Sequence, residues 1–155
     1  MNPLHRIAVW VGPRSWLPRL SPLVVAADRS LQRISRGRLT LLAVCGLPEL
    51  MLHVVGRRSG VVREVPLLGV PWADGWLVAG SNWGLPREPA WVGNLLAAGT
   101  ATVRRRGTDY PVTPMLLSGP DRDRAWQRLL DVWPAYAAYA ERTSRTIKVF
   151  HLVLR

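Results

Sequence analysis

Side chains able to do chemistry unaided are few in this chain, and they are scattered. Its three histidines, His5, His53 and His151, and its single cysteine, Cys45, share no ligand spacing, so no metal site is expected. A nucleophile elbow, a Walker loop and a Gly-x-Gly-x-x-Gly turn are all missing. Asp121 and Asp123 open a helical stretch, where they complement the helix dipole rather than form an acid–base pair. His53 falls mid-strand and reads as a packed residue; Cys45 reads as a small buried hydrophobe suited to a reducing compartment. Arginine and aromatic side chains are plentiful instead. There are 8 tryptophans and 3 tyrosines, the net charge is +11, and Lys148 is the only lysine. Such a field attracts phosphates, polyanionic ligands, nucleic acid or acidic lipid. A chain poor in acids, bases and nucleophiles but rich in these groups implies borrowed chemistry, with a bound redox cofactor that the protein orients and shields.

The elements that must position such a cofactor follow from periodicity. At 155 residues, 48% apolar and 20% charged, the chain fits one globular domain. No apolar stretch reaches the roughly 20 residues of a membrane span, and the run Ile7–Val11 is too short for a signal-peptide core, so a cytoplasmic location is expected. Residues 1–20 form an arm in which Trp10 and Trp16 alternate with Arg6, Arg14 and Arg19. That mixture suits either an arm packed on the domain or a membrane interface. The domain itself spans 21–155. It opens with an amphipathic helix over 21–36, with Ser21 as N-cap, Pro22 at the first helical position, Leu23, Ala27, Leu31 and Ile34 as its apolar stripe, and Gly37 as the stop.

Beyond it the period becomes that of strands. Leu50–Val55 and Val61–Val70 flank the turn Arg57-Arg58-Ser59-Gly60, and Trp76–Gly80 follows the turn Asp74-Gly75. A helix runs from Pro89 to about Ala97, two strands cover Thr100–Arg106 and Tyr110–Leu117, and Pro120–Trp133 is the clearest helix. A short exposed helix carrying Tyr136 and Tyr139 precedes a last strand, Ile147–Leu154. Strands dominate, so the expected class is α+β, mainly β: an antiparallel barrel of about six strands with flanking helices.

Four ordered segments carry a resemblance. Leu52-His-Val-Val-Gly-Arg-Arg-Ser-Gly-Val-Val-Arg-Glu-Val-Pro-Leu67 comes first. Ala79-Gly-Ser81 with Glu88-Pro-Ala-Trp91-Val-Gly-Asn94-Leu95, then Trp133-Pro-Ala-Tyr136-Ala-Ala-Tyr139, then Arg145-Thr-Ile147 follow in register. Together they resemble the deazaflavin-dependent nitroreductases, reductases with a split β-barrel that use coenzyme F420 (an 8-hydroxy-5-deazaflavin). The resemblance implies hydride transfer from F420H2 to an electron-poor, apolar acceptor such as a quinone, enone or nitro compound. It implies coenzyme contacts from Arg57, Arg58, Ser59, Arg63, Pro66, Ser81, Asn82, Ala90, Trp91 and Asn94, and catalytic roles for Tyr136 and Tyr139.

The coenzyme carries a phosphodiester and a polyglutamate tail, which a turn with guanidinium forks and backbone N–H groups can hold. One of Arg104, Arg105 and Arg106 is a further candidate for the tail; alternation puts Arg104 and Arg106 on one face of their strand. A phenol at Tyr136 or Tyr139 can donate a hydrogen bond to an acceptor oxygen. The chain departs from the family pattern at Asn82 and Trp83, where lysine and glycine are usual, and at Val92, Ala98-Gly99 and Trp133. Two alternatives keep the barrel: an F420 carrier without turnover, and an FMN-binding protein. A nucleic-acid module rests on charge alone, with cations dispersed and no binding motif, so no nucleic-acid partner is expected.

Overall fold

Alternation along Glu49–Val55 (β1) starts the sheet: Leu50, Leu52 and Val54 turn inward and are buried, while Met51 and His53 lie on the other face. The computed structural model describes residues 2–35 and 40–155. After β1 come Val62–Leu68 (β2), Val70–Trp72 (β3), Gly75–Ala79 (β4), Ala101–Arg105 (β5), Thr108–Leu116 (β6) and Val149–Leu154 (β7). All neighbours pair antiparallel, in the order β2-β1-β5-β6-β7-β4-β3, and the sheet curls into a half-barrel flanked by helices. The fold class is therefore as expected, α+β with an antiparallel split barrel.

Seven strands stand where about six were expected, because the run Val61–Val70 breaks at Gly69. The Gly69 N–H leaves the ladder to donate to the Pro48 carbonyl at 3.0 Å, and a Cβ there would collide with Leu50. The helices are Pro3–Val11 (α1), Ser21–Ile34 (α2), Leu41–Val44 (α3), Ala90–Ala98 (α4), Gly119–Val132 (α5) and Ala135–Arg142 (α6). Prolines at 13 and 18 separate α1 from α2, as their missing N–H groups require.

Both faces of β4 and β7 are covered, which is why these strands read as continuous apolar runs. Val78, Phe150 and Leu152 pack inside the curled sheet with Val92 and Leu95 of α4. Leu77 and Val149 point to the opposite side and meet Leu129 of α5 and Tyr136 of α6.

Three local expectations change and one falls where it is not tested. A 3₁₀ turn, Leu17–Leu20, runs straight into α2, so Leu20 rather than Ser21 holds the N-cap position. The stripe assigned to α2 faces outward in part, Leu23 being 67% and Ile34 83% exposed, because the helix turns Val24 and Asp28 inward instead. Gly37, and residue 36 as the end of the first helix, lie outside the described residues. Arg106 leaves the strand for the β5–β6 turn with φ 50°, so it no longer shares a face with Arg104.

Leu152 is fully buried at the meeting of β4, β6 and β7. Leu152→Ala is expected to cost about 2–5 kcal/mol in urea unfolding, the range for a core leucine whose cavity does not collapse.

Candidate functional site

Between the N-terminal helices and the sheet lies a cleft of about 770 Å³, a volume suited to a cofactor or drug-sized ligand. Met51 and Pro66 from the β1–β2 hairpin and Trp91 from α4 form one side. Trp133, Tyr136 and Tyr139 form another, the loop Ser81–Trp83 a third, and Ala8, Gly12 and Val24 close it from the arm and α2. The lining is mostly apolar, so a flat ring system is shielded there from water.

Beside this cleft stands a basic hairpin. The Gly56 N–H donates to the Val61 carbonyl at 2.8 Å and the Gly60 N–H to the Gly56 carbonyl at 2.8 Å, which closes the turn between β1 and β2. Gly60 has φ 68°, the left-handed value that glycine adopts without strain. Ser59 Oγ accepts from the Val61 N–H and from Arg63 Nη2, both at 3.3 Å, so Arg63 leans back over the turn. The Arg57 N–H donates to Asn94 Oδ1 at 3.1 Å, and its guanidinium lies so close to Gly93 that a Cβ there would collide with it. The hairpin and the first turns of α4 are thus one unit, in which Asn94 sits one helical turn from cleft-lining Trp91. Arg57, Arg58 and Arg63 remain exposed. Ala90, the first residue of α4, is exposed as well.

The third wall depends on two arginines that sequence reasoning did not single out as site residues. Arg145 donates through Nη1 to the Gly80 carbonyl at 2.9 Å, through Nη2 to Ser81 at 2.7 Å and through Nε to Leu85 at 3.2 Å. Arg142 donates to the Trp83 carbonyl at 3.4 Å and to the Pro13 carbonyl. Asn82 Nδ2 donates to the Arg87 carbonyl at 2.7 Å, which bends the loop onto itself. The available signal was Arg145-Thr-Ile147 as the last of the segments that carry the resemblance; Arg142 carried none.

The two tyrosines differ from the expected exposed pair: each is only 5% exposed, because α6 packs its Tyr face onto α5 and the sheet. Their rings meet edge to face at 6.0 Å, and Tyr136 also tilts against Trp126. The Tyr139 hydroxyl donates to the Gly12 carbonyl at 3.0 Å, so its proton is committed to the arm. Burial, with Tyr139 adding to it, pushes the Tyr136 phenol well above the ordinary tyrosine range. Burial also raises Tyr139, opposed by a hydrogen bond from the Trp133 side chain and by the charge of Arg142. Both stay protonated at neutral pH, and Tyr139 spends its proton on the Gly12 carbonyl.

Other candidates are engaged elsewhere. Arg104 grips Asp109 with two bonds at 2.6 and 2.8 Å, which fills its fork. Lys148 pairs with Glu88 at 2.6 Å, beside an open depression whose other cations, Arg122 and Arg145, are bonded to backbone carbonyls. His53 packs against its cross-strand partner Glu64 at 3.6 Å. Among the described residues no helix is long and apolar enough to cross a membrane, and no three His, Cys, Asp or Glu side chains cluster as metal ligands.

The family model for F420H(2)-dependent quinone reductases matches residues 25–153. An F420H(2)-dependent quinone reductase of Mycobacterium tuberculosis is 29% identical over 144 residues, 90% of this chain and 97% of that one. Among solved structures, the F420H2-dependent reductase FDR-A superposes with TM-score 0.62 at 32% identity, covering 68% of this chain and 93% of its own. A second, described as a domain-swapped dimer, reaches TM-score 0.64 at 28% identity over 84% of this chain and 98% of its own.

The raised phenol gives a signed prediction. A folded-state value above the unfolded one stabilises the protein at pH below the ordinary value of 10.0 and is lost as pH rises through the folded value. Thermal melts from pH 8 to 12 are expected to fall steeply above about pH 10, and Tyr136→Phe to fall less steeply.

Proposed function

The chain belongs to the F420H(2)-dependent quinone reductase family, and we propose that the cleft between arm and sheet is where its coenzyme ring and acceptor meet, with the Arg57–Arg63 hairpin holding the coenzyme's anionic end. The protein is an F420H2-dependent reductase, so its cofactor is coenzyme F420 and its substrates are small molecules. The observation that carries the placement is the union of hairpin and helix: the Arg57 N–H on Asn94 and its guanidinium against Gly93.

The residues present fit the group. An apolar cleft of about 770 Å³ suits a tricyclic ring, and three exposed arginines beside it suit a phosphodiester and a glutamate tail. When bound, F420H2 supplies a hydride to an electron-poor acceptor, here a quinone, with enones and nitro compounds as further acceptors of the same electronic kind. This chain supplies the rest. Arg57, Arg58, Arg63 and Ser59 hold the anionic end, and Asn94 fixes the turn that presents them. Trp91, Pro66 and Ala90 bound the ring side, and Ser81 and Asn82 the loop side. Exclusion of water by the arm and aromatic walls strengthens polar contacts in the cleft. Tyr136 is the catalytic hydrogen-bond donor that orients the acceptor oxygen, while Tyr139 acts by tying the arm to α6 through Gly12. Neither phenol needs to ionise, and the reduced acceptor takes its proton from solvent once it leaves the shielded cleft.

Residues 21–155 form the coenzyme-binding domain in this proposal and residues 1–20 a covering arm. The outer side of the arm carries the second proposal: Ile7 and Trp10, 57% and 64% exposed, lie among exposed Arg6, Arg14 and Arg19, with Arg14 stacked 4.2 Å from the Trp10 ring. Apolar bulk ringed by arginine complements an anionic bilayer surface.

Two experiments test these assignments. Titration with F420, followed by tryptophan quenching, is expected to give at least about tenfold weaker binding for the Arg57→Ala/Arg58→Ala double variant, from the loss of charge-assisted bonds. Tyr136→Phe is expected to keep that affinity and lose most turnover; unchanged affinity in the arginine variant moves the phosphate site elsewhere. Sedimentation with vesicles containing phosphatidylglycerol is expected to carry the protein down at low salt and release it as salt rises. Equal recovery with neutral vesicles would dismiss the bilayer as the partner of this face.

A further inference from the structure

We propose that Trp83 is the acceptor-size gate of the cleft, a specificity-determining residue held in place by Arg142 and Arg145; this rests on the cleft being the place where the acceptor enters. Trp83 has φ 60° and ψ 17°, flanked by Asn82 at φ 42° and Gly84 at φ 76°. Three consecutive residues are therefore left-handed. Asparagine and glycine tolerate that region, and a bulky aromatic residue does not. Strain of this kind persists only where the surroundings over-determine it.

The surroundings do so here through backbone oxygens. Arg145 binds the carbonyls of Gly80, Ser81 and Leu85, and Arg142 that of Trp83 itself. Within the loop, the Gly84 N–H donates to Ser81 at 2.9 Å and the Leu85 N–H to Asn82 at 2.9 Å. Gly84 lies so tightly against the Tyr139 carbonyl that a side chain there would displace α6. The loop is thus bonded at the carbonyls of Gly80, Ser81, Asn82, Trp83 and Leu85.

A glycine at 83 would adopt this backbone with no strain. The chain places its largest side-chain type there instead, so the indole itself accounts for the residue. Neither apolar core accounts for it: Trp83 is partly buried and belongs to neither of them. It lines the cleft together with Tyr136, Tyr139 and Trp133. Trp133 packs against one core and Tyr139 is tethered to Gly12, so Trp83 is the bulky wall element that lies outside both cores. With the coenzyme ring seated, the indole narrows the space left for a flat acceptor, admitting two fused rings and excluding three. Selection by exclusion requires no contact with the reacting atoms.

The test compares Trp83→Gly and Trp83→Ala with the unaltered protein, using menadione as the two-ring acceptor and anthraquinone-2-sulfonate as the three-ring one. Both variants are expected to raise the three-ring to two-ring ratio of kcat/KM by at least about tenfold, the scale on which a pocket discriminates by size. Calorimetry on protein saturated with oxidised F420, so that the coenzyme's own place is filled, is expected to show three-ring binding gained in both variants. Trp83→Gly is expected to melt above Trp83→Ala, since alanine at φ 60° keeps the strain that glycine removes. Turnover by the unaltered protein, with ratio and binding unchanged in both variants, overturns the gate and leaves the proposed site standing. Equal melting of the two variants overturns the strained clamp. An unaltered protein that reduces neither quinone and binds neither removes the acceptor cleft itself, and the gate with it.

Discussion

Backbone carbonyls without a partner are what this structure is arranged to avoid, and three side chains from one short stretch meet that need. Tyr139, Arg142 and Arg145 reach the oxygens of Gly12, Pro13, Gly80, Ser81, Trp83 and Leu85. Those oxygens belong to two segments outside the α-helices and the sheet, Ser81 alone among them also accepting from the Gly84 N–H, and leaving one buried and unpaired costs about 1–3 kcal/mol. By capturing them, α6 and the turn after it fasten both the arm and the 80–85 loop against the sheet. The cleft is the space that remains between these tethered walls.

The cleft and the basic hairpin then divide the work by polarity. In the proposed site, apolar and aromatic walls exclude water where a hydride is to move, so reaction there depends on close approach and shielding. Charge is kept outside, on a turn where exposed guanidinium groups stay hydrated until an anion arrives. Joining the two is α4, whose Trp91 lines the cleft while Asn94 and Gly93 receive Arg57. A helix with one face in the core and its first turns beside the hairpin sets the spacing between ring and tail without a separate device.

Much of the fold was legible because period and punctuation agree along the chain. Leu50, Leu52 and Val54 alternate, Gly60 and Gly107 mark turns, and Gly99 ends α4 with φ 66°. Legibility failed where tertiary contacts override local preference. Gly69 splits a continuous β-rich run because Leu50 needs the space a Cβ would fill. In α2, the helical period is real, but which stripe faces inward depends on what the arm and sheet offer it. Tyr136 and Tyr139 looked exposed on a short polar-flanked helix, and they are buried because α5 lies across them.

Sequence alone therefore determined the antiparallel split barrel, through strand alternation and turn glycines, and the family with its coenzyme, through the resemblance carried by four ordered segments. Tertiary structure alone decided which arginines stay exposed for an anion and which are consumed by backbone oxygens. Arg57 and Arg145 are the same residue type in equally basic surroundings. One remains at a surface turn beside α4, and the other is held by three carbonyls. Partner geometry across distant segments separates them, and no local pattern encodes that.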